Sequence, residues 1–279
     1  MEWRHEVDAG WALTRKRFLT ASDIVSLIPA YKSLKKKGPS FSRVLSSQFA
    51  GKIGEKCFAE VETKSFNAAA RGHVMEPYAV DEFNNLAKQK PFGCACSCAC
   101  TMFHWDDIVI GKEDGIMAFS PDAMSVPQPQ AMESLLVFDD NDKTLKTQNG
   151  NEGFPSPSEI LEIKSYGAKH HAQCCATKKT DLEERWQVAT AMAVCDTVIT
   201  AYIMFYDPGE RLLDYVPQIH VVRYDRSELE SEIETCCGIA NAYAQQSELF
   251  RKSIVDGFDC QLKTEKDIWE ETQGALSML

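Results

Sequence analysis

The chain has 279 residues, of which 44% are hydrophobic and 25% are charged, so it is long enough for one large globular domain or two small ones. No apolar run approaches the length of a membrane span, and the first residues lack the apolar core of a signal peptide, which predicts an intracellular protein. In that compartment the 11 cysteines are expected to be mostly reduced thiols rather than disulfides.

The net charge of −11 is unevenly distributed along the chain. Residues 1–56 carry 11 Lys and Arg against 5 Asp and Glu, whereas residues 57–279 carry 19 against 36. A basic N-terminal part on an acidic body can still bind phosphates locally. The run Lys35–Lys37 on its own is interpreted as a solvated loop.

Two helices are predicted in the basic N-terminal part. Thr20–Asp23 is a helix-capping pattern that precedes apolar residues at helical spacing, so the segment 11–30 is expected to be partly helical. In this pattern Ser22 can be explained as a helix cap alone. A second, partly amphipathic helix is predicted for Phe41–Glu62.

A strong helix is predicted to begin at Arg71–Gly72, because apolar residues recur at helical spacing from Val74 to Leu86. Glu76 would then lie in the first turn of this helix. An acid in the first turn complements the positive end of a helix, which would explain Glu76 without any functional role.

Cysteines alternate with other residues from Cys94 to Cys100, which predicts a strand with four thiols on one face. Thiols two residues apart on a strand are about 7 Å apart, so four of them span about 20 Å. One tetrahedral zinc ion needs every sulfur about 2.3 Å from the metal, and the alternation therefore disfavours a single metal site. We interpret these cysteines as small hydrophobic side chains rather than as a cofactor site.

A hairpin turn is predicted at Gly111–Gly115, between a strand at Ile108–Ile110 and a strand that leads to Asp122. Residues 125–158 are rich in Pro, Gln, Asn, Asp and Gly. They are predicted to form a long irregular insertion that holds one short strand, Leu135–Phe138.

The predicted site is built around the segment Ser158–Tyr166, whose apolar residues favour a short buried strand. Because strand side chains alternate between faces, Glu162 and Lys164 share one face, opposite Leu161 and Ile163. Burying an acid and an amine is costly unless something pairs with them. An Asp followed by Glu-x-Lys on a neighbouring strand is typical of a Mg²⁺-dependent phosphodiester nuclease, in which two carboxylates hold the cation and the amine positions the attacking water.

The remainder of the chain alternates helix and strand. A helix is predicted at residues 181–195, with Gln187 on one side, and it is followed by strands at Val198–Tyr206 and Val216–Tyr224. A closing helix is predicted for Ser227–Ile254.

In their order and element types, these motifs resemble the λ-exonuclease or YqaJ-type viral recombinase branch of the PD-(D/E)xK nucleases, over about residues 13–229. The segments that carry the resemblance are Arg15 with Thr20–Ser22, Arg71–Pro77, Ser120–Asp122, Leu161–Lys164, Gln187–Val188 followed by Met192, and Tyr206–Pro208. Ala123 stands where the family usually has glycine, and Ser165–Tyr166 where it commonly has Cys-Pro. The resemblance implies an α/β fold with a restriction-endonuclease-like core, a central mixed β-sheet flanked by helices.

The resemblance also implies a metal site. Asp122 and Glu162, with the carbonyl of Ile163, would hold Mg²⁺, with Mn²⁺ as the alternative, and Glu76 would bind a second ion or its waters. His73, three residues before Glu76, is a further candidate ligand that would favour Mn²⁺, although a lone histidine is more often structural or exposed.

Two further groups of residues acquire roles from the resemblance. Lys164 would orient or deprotonate the attacking water and stabilise charge on the phosphate, and Gln187 would orient Lys164 or the nucleophile. Arg15 and Ser22 would bind the terminal 5′-phosphate of DNA, with Arg17 as the competing arginine.

The implied function is a Mg²⁺-dependent 5′-to-3′ exonuclease on double-stranded DNA ends in viral or prophage recombination. Such an enzyme is expected to form a trimer, to pass single strands to an annealing protein, and to act in the cytoplasm of a bacterial host or a virus-infected cell. The alternatives are a structure-specific or RNA-cleaving endonuclease on the same core, and a non-enzymatic cysteine-rich metal-binding protein. Residues 1–279 are predicted to form a single nuclease domain, with a DNA-end-binding part (1–70), a catalytic core (71–224) and a C-terminal helix and tail (225–279).

Overall fold

The computed structural model describes residues 15, 17–36, 46–57, 66–89, 101–105, 108–112, 115–127, 135–147, 153–165, 168–178, 180, 182–208 and 217–258. The helices of this part are α1 (Ala21–Lys36), α2 (Ser47–Cys57), α3 (Phe66–Gln89), α4 (Ala168–Thr177), α5 (Leu182–Val194) and α6 (Glu230–Phe258). The strands are β1 (Phe103–His104), β2 (Val109–Lys112), β3 (Ala118–Phe119), β4 (Ala123–Met124), β5 (Leu135–Asp139), β6 (Thr144–Thr147), β7 (Gly153–Pro155), β8 (Glu159–Lys164), β9 (Thr200–Tyr206) and β10 (Ile219–Asp225). The segment Cys94–Cys100 lies outside the described residues, and its interpretation stays a prediction.

The strands form two five-stranded sheets. The first sheet has the order β1-β4-β8-β9-β10, and the second has the order β3-β2-β5-β6-β7. In the first sheet β8 and β9 run parallel, whereas the other neighbouring pairs are antiparallel. This mixed sheet is flanked by helices, which confirms the predicted α/β architecture. Among the described residues, no helix is long and apolar enough to cross a membrane.

The two faces of the first sheet pack against different helices. Leu161 and Ile163 of β8 face α3 and form a cluster with its buried residues Val80 and Phe83. Ile160 of β8 belongs instead to the main core, which includes residues of α1, α5 and α6. Burial on both faces explains why β9 is a nearly continuous apolar run, whereas β8 combines three buried apolar residues with Glu159, Glu162 and Lys164.

The second sheet corrects the prediction for residues 125–158. They were expected to be irregular apart from one strand, but they contribute β5, β6 and β7, which join β2 and β3 in a regular sheet. Leu145 is the one fully buried residue of the four in β6, and its neighbours are polar, so the apolar periodicity of this strand is too short to be read from the sequence.

Four other features of the elements differ from the predictions. Helix α3 begins at Phe66 rather than at Arg71, and α2 begins at Ser47, after the non-helical Ser46, rather than at Phe41. Helix α4 was not predicted at all. Asp122 was expected at the end of a strand, yet β3 ends at Phe119 and Asp122 directly precedes the separate strand β4.

Candidate functional site

Asp122 is held at the start of β4 by two hydrogen bonds. Its backbone carbonyl accepts from the amide of Trp105 at 3.0 Å, and its side-chain Oδ2 accepts from the amide of Ile163 at 2.6 Å. Strand β4 pairs with β8 through Ala123 opposite Leu161. The side chain of Asp122 extends the contact between the two segments to the amide of Ile163, two residues further along β8. Because the N–H and C=O of one strand residue point to the same side, the carbonyl of Ile163 also lies on the Asp122 side of β8.

Glu162 and Lys164 lie on one face of β8, as the alternation predicts. Lys164 Nζ is 2.5 Å from Glu162 Oε1, and each side chain is 17% exposed. This ion pair is accessible from solvent but is not solvated on all sides. The charges of Asp122 and Lys164 also affect each other's pKa, so the three predicted residues of the motif lie close together.

The carboxylates of this site repel one another. Burial and the negative charges of Glu162 and Glu76 raise the pKa of Asp122 well above its ordinary value, against the opposing effect of Lys164. Burial on its own would lower the pKa of Lys164, but Glu162 and Asp122 outweigh it and raise this pKa. An acid cluster with one amine is therefore the dominant electrostatic feature of this edge of the first sheet.

Glu76 reaches this cluster from helix α3. Its side chain is 11% exposed and lies close enough to Asp122 to raise the pKa of that carboxyl. The helix begins ten residues earlier, at Phe66, so Glu76 is not in the first turn. The favourable field of a helix end falls off within one turn, and the explanation of Glu76 as a helix-end acid is therefore wrong.

Helix α5 adds an acid, Glu184, near Lys164 and carries Gln187 on the same face. Glu184 is 2% exposed and is one of the negative charges that raise the pKa of Lys164. Gln187 is one turn further along the same helix face, and its Oε1 is buried without a hydrogen-bond partner among the described residues. Sequence reasoning found Gln187 but missed Glu184, because an acid in the first turn of a helix is ordinary.

The predicted phosphate-binding residues lie in and before helix α1. Ser22 is exposed in the first turn, Arg15 is half-buried and Arg17 is exposed. The capping contacts belong to other residues, since Asp23 Oδ2 accepts from the backbone amide of Thr20 at 2.9 Å and from its hydroxyl at 3.0 Å. The explanation of Ser22 as the helix cap is therefore wrong.

The segment before α1 is attached to the second sheet close to Asp122. Leu19 forms a parallel bridge with Met117, and its backbone exchanges hydrogen bonds with Ile116 and Ala118 at 2.7 and 3.1 Å. A Cβ on Gly111 would come within 3.1 Å of the Phe18 ring, so glycine allows this segment to pack closely on β2. The N-terminal segment thus lies beside β3, three residues ahead of Asp122.

The donor set fits a hard divalent cation, although the side chains are not arranged around one. Among the described residues, no three His, Cys, Asp or Glu side chains converge closely enough to hold a metal ion. Glu162 is turned to Lys164 instead, and Asp122 to the Ile163 amide. Carboxylate and carbonyl oxygens are nevertheless the ligands that Mg²⁺ and Mn²⁺ prefer, and a cation would relieve the repulsion at Asp122. The side chain of His73 is outside the described part of the chain.

The chain is similar to nucleases of known structure. The family model described as the YqaJ-like viral recombinase domain matches residues 10–198. The solved structure of LHK-Exo, an alkaline exonuclease of Laribacter hongkongensis, in complex with dAMP is 19% identical, with a TM-score of 0.50 and coverage of 88% of this chain and 97% of that chain. A phage-related exonuclease of Haemophilus somnus 129PT is 16% identical, with a TM-score of 0.46 and coverage of 85% and 96%. No curated protein matches.

Proposed function

Because the chain belongs to the YqaJ-like viral recombinase family, we propose that it is a Mg²⁺-dependent exonuclease that degrades double-stranded DNA from 5′ ends. The observation that carries this proposal is the cluster of Asp122, Glu162 and Lys164, in which a carboxyl with a strongly raised pKa lies beside a lysine. Such perturbed groups are typical of catalytic sites. The complex of LHK-Exo with dAMP contains a deoxynucleoside monophosphate, which is the product class expected of a DNA exonuclease.

The carboxylates of Asp122 and Glu162 and the carbonyl of Ile163 would hold the catalytic cation, and Glu76 would hold a second one or its waters. A bound divalent cation supplies Lewis-acid chemistry, because it lowers the pKa of water and neutralises charge on the phosphate. If Glu162 served as a ligand of this cation, its ion pair with Lys164 would be lost, and Lys164 Nζ could then donate to the attacking water or to a phosphate oxygen.

Helix α5 would keep Lys164 in place once that ion pair is broken. Glu184 remains as a buried negative charge beside the amine, and Gln187 presents a buried amide oxygen one turn away. An amide oxygen can accept a hydrogen bond from the ammonium or from the attacking water. The chemistry of this chain thus depends on side chains from β4, β8 and α5.

The N-terminal segment would select the DNA end. Arg15 offers a planar guanidinium and Ser22 a hydroxyl and an amide in the first turn of α1, the groups that suit a terminal phosphate. The attachment of Leu19 to β3 places this segment near the strand that leads to Asp122. Arg17 is the competing arginine, since it is two residues away and more exposed.

A comparison of linear and covalently closed duplex DNA tests this proposal. The purified chain with Mg²⁺ should degrade the linear duplex to mononucleotides and leave the closed circle intact, because an exonuclease needs an end. Cleavage of the closed circle, or of RNA in preference to DNA, would favour the endonuclease alternative. No cleavage by any divalent metal, together with stoichiometric zinc or iron in the protein, would favour the cysteine-rich metal-binding alternative.

The Arg15→Ala variant tests the assignment of the 5′-phosphate site. The wild type should degrade 5′-phosphorylated ends faster than 5′-hydroxyl ends, and Arg15→Ala should lose this preference with Mg²⁺-dependent cleavage remaining. A charged hydrogen bond contributes about 1.5–3 kcal/mol, so the rate on phosphorylated ends should fall about ten- to a hundred-fold. Arg17→Ala is the matched control and should keep the preference. A wild type without any preference, or one that digests from 3′ ends, contradicts the assignment.

We further propose that residues 1–279 form a single nuclease domain and that the protein acts in the cytoplasm of a bacterial host or a virus-infected cell. The protein would assemble as a homotrimer, which light scattering on the purified chain measures. It would pass single strands to an annealing protein, which co-purification with such a protein tests. A monomer that is fully active on DNA ends would contradict the trimer but leave the site assignment intact.

A further inference from the structure

His104 lies beside the predicted site, on β1, the edge strand of the first sheet. It is the second residue of β1, opposite Ala123 of β4 in the strand register, and Asp122 is the residue before Ala123. Its Nε2 is 3.7 Å from Oε2 of Glu76, and the two side chains are 23% and 11% exposed. This nitrogen is buried and makes no hydrogen bond within the described part of the chain. No sequence motif singled out His104.

The position of His104 is held by a contact between β1 and α3. Asn84, two turns after Glu76 on the same helix, donates from Nδ2 to the carbonyl of Met102 and accepts at Oδ1 from its amide, both at 2.8 Å. This two-bond clamp fixes the strand beside the helix, two residues before His104. The imidazole and the carboxylate are therefore presented to each other by rigid elements rather than by flexible loops.

The separation of the two groups fits a shared ion better than a hydrogen bond. Hydrogen bonds between nitrogen and oxygen have lengths of about 2.7–3.2 Å, and 3.7 Å is outside that range. Divalent cations take nitrogen and oxygen ligands at about 2.0–2.2 Å, so two ligand atoms on one ion lie about 2.8–4.4 Å apart, depending on the angle between them.

We propose that His104 and Glu76 are ligands of a second divalent cation, and that the imidazole makes this position prefer Mn²⁺ to Mg²⁺. The inference rests on the proposed function, in which Glu76 serves a second ion. Mg²⁺ prefers oxygen ligands, whereas transition metals accept imidazole nitrogen more readily. Water and phosphate oxygens of the DNA fill the other positions of the ion, as is usual for sites with few protein ligands.

The test measures metal binding without DNA, with Mn²⁺ as the probe. Free Mn²⁺ is followed by electron paramagnetic resonance during titration of the EDTA-treated full chain, and Mg²⁺ binding by calorimetry. The wild type should bind two Mn²⁺, and His104→Ala should weaken one of them by at least about tenfold, since even the outer partners of metal ligands contribute 10- to 100-fold. The affinity for Mg²⁺ should change much less. His104→Gln keeps the side chain polar and should give the same result if the first variant is poorly folded.

His220→Ala is the matched control, because His220 is on β10 at the opposite edge of the first sheet, stacked on Phe205. It should leave Mn²⁺ binding unchanged. Equal Mn²⁺ affinity in His104→Gln and wild type overturns the inference. An equal loss of Mn²⁺ and Mg²⁺ affinity also overturns it, since His104 would then act by holding Glu76 as an ion pair.

Rates on linear duplex DNA distinguish this inference from the proposed function. If the wild type cleaves DNA, and the ratio of the rate with Mn²⁺ to the rate with Mg²⁺ is lower in His104→Gln, both the proposed function and this inference are supported. A wild type that cleaves no DNA with either metal fails as an exonuclease. A His104→Gln variant with the wild-type ratio and the wild-type Mn²⁺ affinity overturns only the role of His104.

Discussion

Asp23 and Asp122 are two carboxylates in buried surroundings of one chain, and their neighbours have opposite charges. Asp23 of α1 lies 3.1 Å from Lys52 Nζ and 2.6 Å from Lys56 Nζ, both on α2. Burial would raise the pKa of Asp23, but Lys56, the Thr20 amide and Lys52 outweigh it and lower this pKa. Burial also raises the pKa of Asp122, and the negative charges of Glu162 and Glu76 raise this pKa further.

The difference distinguishes a structural ion pair from the proposed metal site. At Asp23 every charge has a partner, and the contact ties α1 to α2. At Asp122 like charges lie close together, and we expect their repulsion to cost stability in the folded chain. Arrangements that cost stability are kept where they are needed for function, and an acid cluster of this kind is suited to a cation. Four experiments test this comparison.

The largest effect is expected on cleavage. Asp122→Ala, Glu162→Ala and Lys164→Ala should each reduce the rate on linear duplex DNA by at least about a thousandfold, and their combination should be little worse, because residues that act as one unit are not additive. Asp139→Ala is the matched control, since this carboxylate is paired with Lys146 on the second sheet and should leave the rate unchanged. A folded single variant with a near-wild-type rate would show that the site is misassigned.

The next effect is on stability. Asp23→Ala removes the carboxylate that contacts both Lys52 and Lys56 and should reduce the free energy of unfolding by about 2–3 kcal/mol, somewhat less than for a fully buried pair. Urea denaturation measures this change. Asp196→Ala is the control, because the Asp196–Lys143 pair is 46% exposed on both sides and should contribute little to stability.

The contribution of Asp23 should also depend on pH. Because its folded pKa is lowered, the stabilisation is present above the unfolded pKa of an aspartate and is lost as the pH falls through the folded pKa. The difference between the wild type and Asp23→Ala should therefore shrink in acid. A difference that is constant over the acidic range would contradict the ion-pair explanation.

The smallest effect has the opposite sign. Asp122→Asn should make the metal-free protein more stable at neutral pH, by on the order of 1 kcal/mol or a few degrees in Tm, because the amide keeps an acceptor for the Ile163 amide and removes the repelled charge. The folded pKa of Asp122 is raised, so the wild type is unaffected below the unfolded pKa and loses stability as the pH rises towards the folded pKa. Thermal unfolding in EDTA across this range measures the gain, and a wild type more stable than Asp122→Asn at neutral pH would contradict it.

The pattern of residues predicted much of the fold around the site. Alternation in β8 predicted that Glu162 and Lys164 share a face, and helical spacing predicted α5 with Gln187. These inferences succeed because each depends on the period of one element. The boundaries were less accurate, as the early start of α3 at Phe66 shows, since nothing in the local sequence distinguishes a helix start at Phe66 from one at Arg71.

By itself, the sequence determined the existence of elements with a clear period, such as β8, β9 and α5, and the residue types of the motif, because periodicity and residue type are local properties. Only the tertiary structure decided which side chains from distant segments meet. Strands β5, β6 and β7 pair with one another in sequence and join the second sheet through the pairing of β5 with the distant strand β2. Glu184 and His104 reach the site through the packing of α5 and β1, and no spacing in the chain encodes a contact across that distance.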